Sequence, residues 1–245
     1  MTDQRQLADG ALMASFDQDI LTIILNRPEK RNAVNSEMYA GLAQLLDGAQ
    51  QDSSVRAVIL AASGPDFCAG TDIVDLRPAP RDIPFEDRPV GTFLKTLTSF
   101  DKPLIAVVRG RAIGFGLTFL LHCDLVFVTP DAQLSAPFAK LGFSPEAGSS
   151  FLLPALVGTR RAFEIFARNH VLSGSEAVEW GIASRAVGTD ELERIAAQEV
   201  RQLILSPGSA LAAVKRLIKP SAQIWAAVGR EMGELYALTR SSDAY

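Results

Sequence analysis

Two short apolar segments, each followed by a loop that contains glycine, constrain the fold of this chain most strongly. Residues 55–61 read VRAVILA, and residues 104–108 read LIAVV. Runs of this length and composition are typical of strands that are buried on both faces, as in parallel sheets. The loops ASGPDFCAGTDI and RGRAIGFG follow these two segments directly.

The two glycine loops suit one catalytic use in particular. Each leads towards a predicted helix, and the first backbone N–H groups of a helix have no partner within it. Two such loops directed at one point would form an oxyanion hole built entirely from backbone, and glycine would let a ligand approach closely. The alternative is that these glycines only allow tight turns, and the pattern alone favours that alternative.

Local signals around these loops predict further elements. Residues 11–16 and 20–25 are β-type runs separated by three polar residues, which predicts a hairpin. Asn35 or Ser36 can cap a helix, because apolar residues recur after them at helical spacing. The stretch from Arg77 to Pro89 contains four prolines and predicts a surface loop.

The second half of the chain is predicted to be mainly helical. Ser173 and Glu176 form a candidate capping box, and another helix is predicted to begin after Ser206-Pro207. The apolar residues of that later helix fall on one face; they are Leu211, Val214, Leu217 and Ile218. Strands followed by helices indicate the α/β fold class with a helical layer or appendage.

Charge and composition exclude several classes of protein. Lys and Arg number 24 against 28 Asp and Glu, so there is no basic excess to attract nucleic acid, and we expect no such partner. The apolar stretch 112–128 is interrupted by His122 and Asp124, which predicts two buried elements and no membrane span. Cys68 and Cys123 lack CxxC spacing and are expected to be core thiols. The start MTDQRQLADG has no apolar signal core, so we expect a cytoplasmic protein.

Several common catalytic and metal-binding sites are not predicted. His122 and His170 are far apart, and His122 lies in the apolar run LLHCD, which favours a core histidine. No GxSxG, Walker A, HExxH or paired Cys/His pattern is present, so no metal is expected. The glycines at 110, 114 and 116 do not spell GxGxxG, which argues against a dinucleotide site.

The spelling of the loops resembles a known family. Three segments are similar, in order and spacing, to signatures of the enoyl-CoA hydratase/isomerase (crotonase) superfamily. They are LNRPEKRNAVN, FCAGTDIVDL and GRAIGFGLTFLLHCDLVFVTPDAQLSAPFAKLGFSPEAGSS. The resemblance implies a spiral of ββα units over residues 1–187 and a C-terminal helical trimerisation region over 188–245. It also implies a homotrimer or a dimer of trimers that binds acyl-CoA thioesters. Coenzyme A would enter as part of the substrate, and no separate cofactor is implied.

The resemblance assigns roles to residues of the glycine loops. The two N–H groups that stabilise an enolate in this family correspond to those of Thr71 and Phe115. Substrate-binding positions correspond to Ala69, Gly70, Asp72, Ile73 and Gly114. For Asp72 a helix cap is the favoured alternative.

Lys30 and Arg31 are candidates for binding the phosphates of coenzyme A, because an acidic chain must supply local cations to hold a polyanion. The alternative is ordinary solvated surface charge.

A comparison of carboxylate positions separates the reactions of the superfamily. Hydratases use two glutamates, and the corresponding positions here are Thr118 and Phe138, which cannot exchange a proton at neutral pH. Glu146 in LGFSPEAGSS stands where the monofunctional 3,2-enoyl-CoA isomerases carry their single base. That role needs a dry pocket that raises the pKa of Glu146. Its predicted walls are Leu141, Phe143, Phe115, Phe119 and Phe138.

Other functions are left open by the sequence. Taken alone, Glu146 would be a first-turn glutamate favoured by a helix dipole. The superfamily also includes hydratases, dehalogenases, decarboxylases and thioesterases, and a protein of this kind that only binds acyl-CoA is a further alternative. Relatives are expected to continue past LTRSSDAY with another helix and a basic tail, so we do not expect contacts from such a tail here.

Overall fold

Ten strands in two sheets and eight α-helices make up the described part of the protein, which in this computed structural model covers residues 3–74 and 83–240. The strands are β1 (Asp3–Leu7), β2 (Leu12–Asp17), β3 (Ile20–Leu25), β4 (Ala57–Ala62), β5 (Leu104–Val108), β6 (Arg111–Ile113), β7 (Leu125–Val128), β8 (Gln133–Ser135), β9 (Leu172–Ser173) and β10 (Arg185–Ala186). The helices are α1 (Ser36–Gln51), α2 (Pro89–Ser99), α3 (Phe115–Leu120), α4 (Ser149–Phe166), α5 (Gly174–Glu179), α6 (Leu192–Leu203), α7 (Gly208–Ile218) and α8 (Ser221–Arg240).

The larger sheet has the order β1-β2-β3-β4-β5-β7-β10. Its first three strands are antiparallel, and the predicted hairpin is confirmed, since Asp17 pairs with Ile20 across a tight turn. From β3 onward the neighbours are parallel. The two apolar segments of the sequence form β4 and β5; all five residues of β5 are buried.

The smaller sheet has the order β6-β8-β9. The chain alternates between the larger and the smaller sheet, as in a spiral. The chain passes from the large sheet into the small one twice within a few residues, from β5 to β6 and from β7 to β8. After β4 it makes the same passage without a full strand, because Cys68 forms an isolated parallel bridge with Ala112 of β6. Helix α3 follows β5 and β6 to complete a ββα unit.

The local predictions for helix starts are confirmed. Asn35 caps α1 by accepting a hydrogen bond from the backbone N–H of Met38 at 2.9 Å. Ser173 and Glu176 form a reciprocal capping box at the start of α5. The predicted loop from Arg77 to Pro89 lies largely outside the described residues; within the rest of it a short 3-10 turn spans Phe85–Asp87, and α2 begins at Pro89.

The C-terminal helices pack on different parts of the body. Ile224 and Val228 of α8 join the main core, whereas α6 covers the other face of the large sheet. Helix α7 has no buried residue. The division of the chain at 187/188 and the trimerisation role of the last segment stay predictions. Within the described ranges, every helix is too short or too polar to cross a lipid bilayer.

Asp124 holds α7 against the body by ion pairs. Its carboxylate lies 2.8 Å from Lys215 and 2.9 Å from Lys219, and it accepts the Leu104 backbone N–H at 2.8 Å. Burial opposes ionisation of Asp124, but the two lysines lower its pKa overall. Cys68 and Cys123 are free and buried, as predicted.

Candidate active site

The two glycine loops touch each other through their backbones. Cys68 N–H donates to Arg111 O at 2.9 Å, and Ile113 N–H donates to Cys68 O at 2.9 Å. A Cβ atom added to Gly70 would lie 3.1 Å from Ile113 O and 3.8 Å from Phe115 N. Glycine is therefore needed here for close approach, which the sequence alone did not favour over simple turning.

Two backbone N–H groups beside this contact are unpaired. The bridge between Thr71 and Val34 uses the flanking atoms, with Val34 N–H donating to Gly70 O and Asp72 N–H donating to Val34 O. Neither the Thr71 nor the Phe115 N–H has a hydrogen-bond acceptor among residues 3–74 and 83–240. Phe115 is the first residue of α3, where free N–H groups are expected. The contact between the loops brings these two donors into one neighbourhood.

Tyr39 of α1 supports both loops, and the sequence analysis did not identify it. Its hydroxyl forms a 2.8 Å hydrogen bond with Thr71 Oγ1. Its ring packs edge-on against Phe115, with the centroids 5.1 Å apart, and also contacts Phe93. One buried aromatic residue thus connects the two loops to the core.

Glu146 lies in the loop between β8 and α4, and its side chain is half-buried. Burial, together with the charge of Glu231, raises its pKa to about 7. The charge of Glu146 in turn adds to the burial that raises the pKa of the Cys68 thiol to about 12. Cys68 lies in the first glycine loop, three residues before Thr71, so the charge of Glu146 acts on the loop that holds one of the two free amides.

The loop that carries Glu146 is held in an unusual conformation. Ala147 has a φ of 59°, in the left-handed region that alanine rarely adopts. His122 Nε2 lies 2.7 Å from Ala147 O, and burial lowers the pKa of His122 to about 4. The neutral ring must carry its proton on Nε2 to donate this bond. The prediction of a core histidine is confirmed, with a specific partner that the sequence did not indicate.

The side chain of Glu146 does not cap α4. The helix begins at Ser149, whose N–H donates to the backbone carbonyl of Glu146 at 3.0 Å, while the carboxylate of Glu231 accepts from the N–H groups of Gly148 and Ser150 at 2.7 Å each. The Glu146 side chain itself forms no hydrogen bond with a described residue. The first-turn alternative for Glu146 is therefore disfavoured.

The two residues that the resemblance places at the hydratase glutamate positions are both buried. Thr118 is fully buried in α3 and donates its hydroxyl to Phe115 O at 3.3 Å. Phe138 is buried and packs on Phe166, with ring centroids 5.9 Å apart.

Four of the five predicted wall residues are buried or half-buried; these are Phe115, Phe119, Phe138 and Phe143. Leu141 is 56% exposed in the single chain, so its assignment as a wall stays a prediction. It ends a 3-10 turn whose side chains point away from the core.

The helix that Asp72 was predicted to cap would continue into residues 75–82, which lie outside the described residues, so the cap stays a prediction. Ile73 and Val74 form a turn, and the Asp72 carboxylate pairs with Arg27 at 3.0 Å while accepting the Val74 N–H at 3.2 Å. Burial opposes ionisation, but the Val74 and Arg27 bonds and the charges of Arg27 and Lys30 lower the pKa of Asp72. Ile73 is largely exposed.

Lys30 and Arg31 lie beside the first glycine loop. Ala69 N–H donates to Arg31 O at 2.9 Å, which joins the two segments. Both basic side chains are exposed, and neither forms an ion pair with any residue in the described part of the chain. Their position is compatible with a phosphate-binding role and with solvated charge.

Comparison with known proteins identifies the family. A family model described as enoyl-CoA hydratase/isomerase matches residues 15–232. The 1,2-epoxyphenylacetyl-CoA isomerase of Escherichia coli (strain K12) is 33% identical over 212 residues, covering 84% of this chain and 81% of that protein. The 4-chlorobenzoyl coenzyme A dehalogenase-2 of an Arthrobacter species is 30% identical over 217 residues, covering 86% and 79%. Human enoyl-CoA delta isomerase 2 is 29% identical over 223 residues, covering 89% of this chain and 56% of that protein.

The fold leads to the same family. A crystal structure of an enoyl-CoA hydratase/isomerase from Pseudoalteromonas atlantica T6c superposes with a TM-score of 0.89 and 34% identity, covering 96% of this chain and 93% of that one. The predicted crotonase-type α/β fold is confirmed. With a family model matching most of its length, this chain belongs to the enoyl-CoA hydratase/isomerase (crotonase) family.

Proposed function

We propose that the protein isomerises 3-enoyl-CoA thioesters to trans-2-enoyl-CoA thioesters, with Glu146 as the only base. The observation that carries this proposal is a single half-buried carboxylate with its pKa raised to about 7, electrostatically linked to the loop that holds a free amide. A base with a pKa near the working pH is well suited to remove a proton and then return it.

The reaction needs one proton and no water. The Glu146 carboxylate removes a proton from C2 of the 3-enoyl thioester, and the electrons of that C–H bond form a dienolate. Negative charge develops on the thioester oxygen, where the N–H groups of Thr71 and Phe115 donate hydrogen bonds. The protonated Glu146 then gives the same proton to C4, and the double bond comes to lie between C2 and C3.

A further observation favours isomerisation over hydration. By the resemblance, Thr118 and Phe138 stand at the positions of the two hydratase glutamates, so no pair of carboxylates is available there to activate water. The names of relatives support both kinds of reaction, since two are named as isomerases and others of similar identity are named as carnitinyl-CoA dehydratases. In the same proposal, the thioester group of the substrate is lined by Ala69, Gly70, Asp72, Ile73 and Gly114. The phosphates of coenzyme A are held by Lys30 and Arg31.

The decisive experiment is an assay of 3-enoyl-CoA thioesters of several chain lengths with the parent and with Glu146→Gln. The amide keeps the shape of the carboxylate but cannot take up a proton. We expect the rate to fall at least about a hundredfold with substrate affinity retained. The matched control is Glu234→Gln, an exposed glutamate on α8, which should keep the parent rate. Isomerisation by Glu146→Gln at the parent rate would overturn the assignment of the base.

Product analysis over a panel of thioesters distinguishes the competing functions. Hydrated products from 2-enoyl-CoA would indicate a hydratase, and halide released from 4-chlorobenzoyl-CoA would indicate a dehalogenase. Loss of carbon dioxide or release of free coenzyme A would indicate a decarboxylase or a thioesterase. Tight binding without turnover of any thioester would indicate a non-catalytic acyl-CoA-binding protein.

A further inference from the structure

A buried carboxylate on the last helix reaches the loop of the proposed base. Glu231 of α8 is only 5% exposed. Its Oε2 accepts the Gly148 N–H and its Oε1 accepts the Ser150 N–H, both at 2.7 Å. Hydrogen bonds from backbone N–H groups to an ionised carboxylate are short and strong, so this pair fixes two amides that closely follow Glu146.

Helix α8 also holds the loop on the other side of Glu146. The Ser144 hydroxyl donates to the backbone carbonyl of Glu231 at 3.1 Å. Gly148 packs directly on α8, since a Cβ there would lie 2.8 Å from Ile224 Cγ2. The chain is therefore held against α8 two residues before the proposed base and two residues after it.

The charges around Glu146 make Glu231 its principal electrostatic neighbour. Besides burial, the charge of Glu231 raises the pKa of Glu146, whereas Cys68 and His122 are uncharged at neutral pH, because burial raises the pKa of Cys68 to about 12 and lowers that of His122 to about 4. Glu231 is buried as well, which raises its pKa, while bonds from Ser150 and Gly148 and the charge of Arg230 act in the opposite direction. The Glu231 carboxylate accepts hydrogen bonds from two backbone N–H groups, and the Glu146 carboxylate accepts none from the described residues. Glu231 is therefore the member of the pair that stays ionised.

We propose that Glu231 is a positioning residue for the proposed base: its carboxylate fixes the loop of residues 144–150 through two backbone amides and keeps a negative charge close to Glu146. This inference rests on the proposed function, because it gives Glu231 a role only where Glu146 transfers a proton. It assigns α8 a part in the chemistry, although no atom of Glu231 needs to touch the substrate.

The test compares Glu231→Gln, Glu231→Asp and the exposed control Glu234→Gln in the 3-enoyl-CoA assay across pH. In Glu231→Gln the negative charge is lost and one amide loses its acceptor. We expect kcat to fall about ten- to a hundredfold with KM little changed. We also expect the acid limb of kcat to move to lower pH, because Glu146 ionises more easily without a neighbouring anion. Glu231→Asp keeps the charge but is too short for both amides, so kcat should fall while the acid limb stays.

Other outcomes overturn the inference. A Glu231→Gln variant with the parent kcat and the parent acid limb would show that the base does not depend on this residue. A variant that is only less stable, with an unmoved acid limb, would show that Glu231 is merely a helix cap. If Glu231→Gln does not fold, a parent value of kcat in Glu231→Asp is sufficient to reject the positioning role. Failure of the proposed function itself is separate, because it appears as full activity in Glu146→Gln or as a parent protein that isomerises none of the 3-enoyl-CoA thioesters, and in the latter case the inference falls with it.

Discussion

At the scale of single residues, Glu146 combines a catalytic demand with a cost in stability. Its pKa of about 7, against an ordinary value of 4.5, means that the folded protein holds this proton more tightly than the unfolded chain does. The folded state is therefore favoured at low pH, and this contribution is lost as the pH rises through 7. The same burial that makes the carboxylate a stronger base makes its charged form unfavourable.

Glu146→Gln should accordingly stabilise the protein at alkaline pH. We expect its free energy of unfolding to exceed that of the parent by up to about 3 kcal/mol near pH 8, and by much less near pH 5. Urea unfolding at the two pH values measures the difference. The exposed control Glu234→Gln should show the same small difference at both. An equal gain at both pH values in Glu146→Gln would mean that Glu146 is not perturbed in the folded state.

At the scale of elements, the start of α3 determines where one of the two free amides lies. Gly114 precedes Phe115 with φ 56° and ψ −117°, a conformation that side chains disfavour, although no atom lies within 4 Å of a Cβ placed there. A substitution would therefore act through backbone strain and not through a clash.

If the backbone keeps its conformation, Gly114→Ala should lower the free energy of unfolding by about 1–3 kcal/mol. If the backbone relaxes instead, the Phe115 N–H moves and the rate falls, by up to about a hundredfold. The matched control is Gly48→Ala, on an exposed position of α1 with open space around its Cβ. That change should stabilise the protein by about 1 kcal/mol and leave the rate unchanged. Urea unfolding and the isomerase assay together check both variants; a stable and fully active Gly114→Ala would contradict the role of this turn.

The elements that could be predicted from sequence depend on neighbours a few residues apart. The β2–β3 hairpin, the Asn35 cap and the capping box of α5 all have this character, and the structure confirms them. The ion pair of Asp72 could not be predicted in this way, because its partner, Arg27, lies 45 residues away in the chain.

Glu231 is a further long-range case, since its bonds to the base loop span more than 80 residues. One sequence signal was present: Glu231 falls on the same helical face as Ile224 and Val228, where an apolar residue would be expected. A glutamate on an apolar helical face indicates a buried hydrogen-bond partner, but the pattern does not identify that partner. The family signatures supplied the candidate base and amides, whereas the residues that hold them in place required the fold.

At the scale of the whole molecule, α7 presents an apolar face that the single chain does not cover. Leu217 is 84% exposed and Ile218 is 69% exposed, while Lys215 and Lys219 tie the helix and its C-terminal end to Asp124. The sequence pattern predicted that the apolar residues of this helix fall on one face, and in the single chain Val214, Leu217 and Ile218 of that face are exposed. Exposed apolar patches of this kind are typical of surfaces that contact another protein.

The predicted homotrimer offers an occupant for this face, namely a second copy of the chain. We expect the parent to run above the 26.3 kDa of one chain in light scattering coupled to size exclusion, and Leu217→Asp to shift the mass towards that value. A charge buried in an apolar interface without a partner costs several kcal/mol, enough to separate subunits at micromolar concentration. Ser209→Asp places the same charge on the exposed first turn of α7, outside the apolar face, and should keep the parent mass. An unchanged mass in Leu217→Asp would mean that the subunits associate through another surface, and a parent that is already a single chain would leave α7 without a role in assembly.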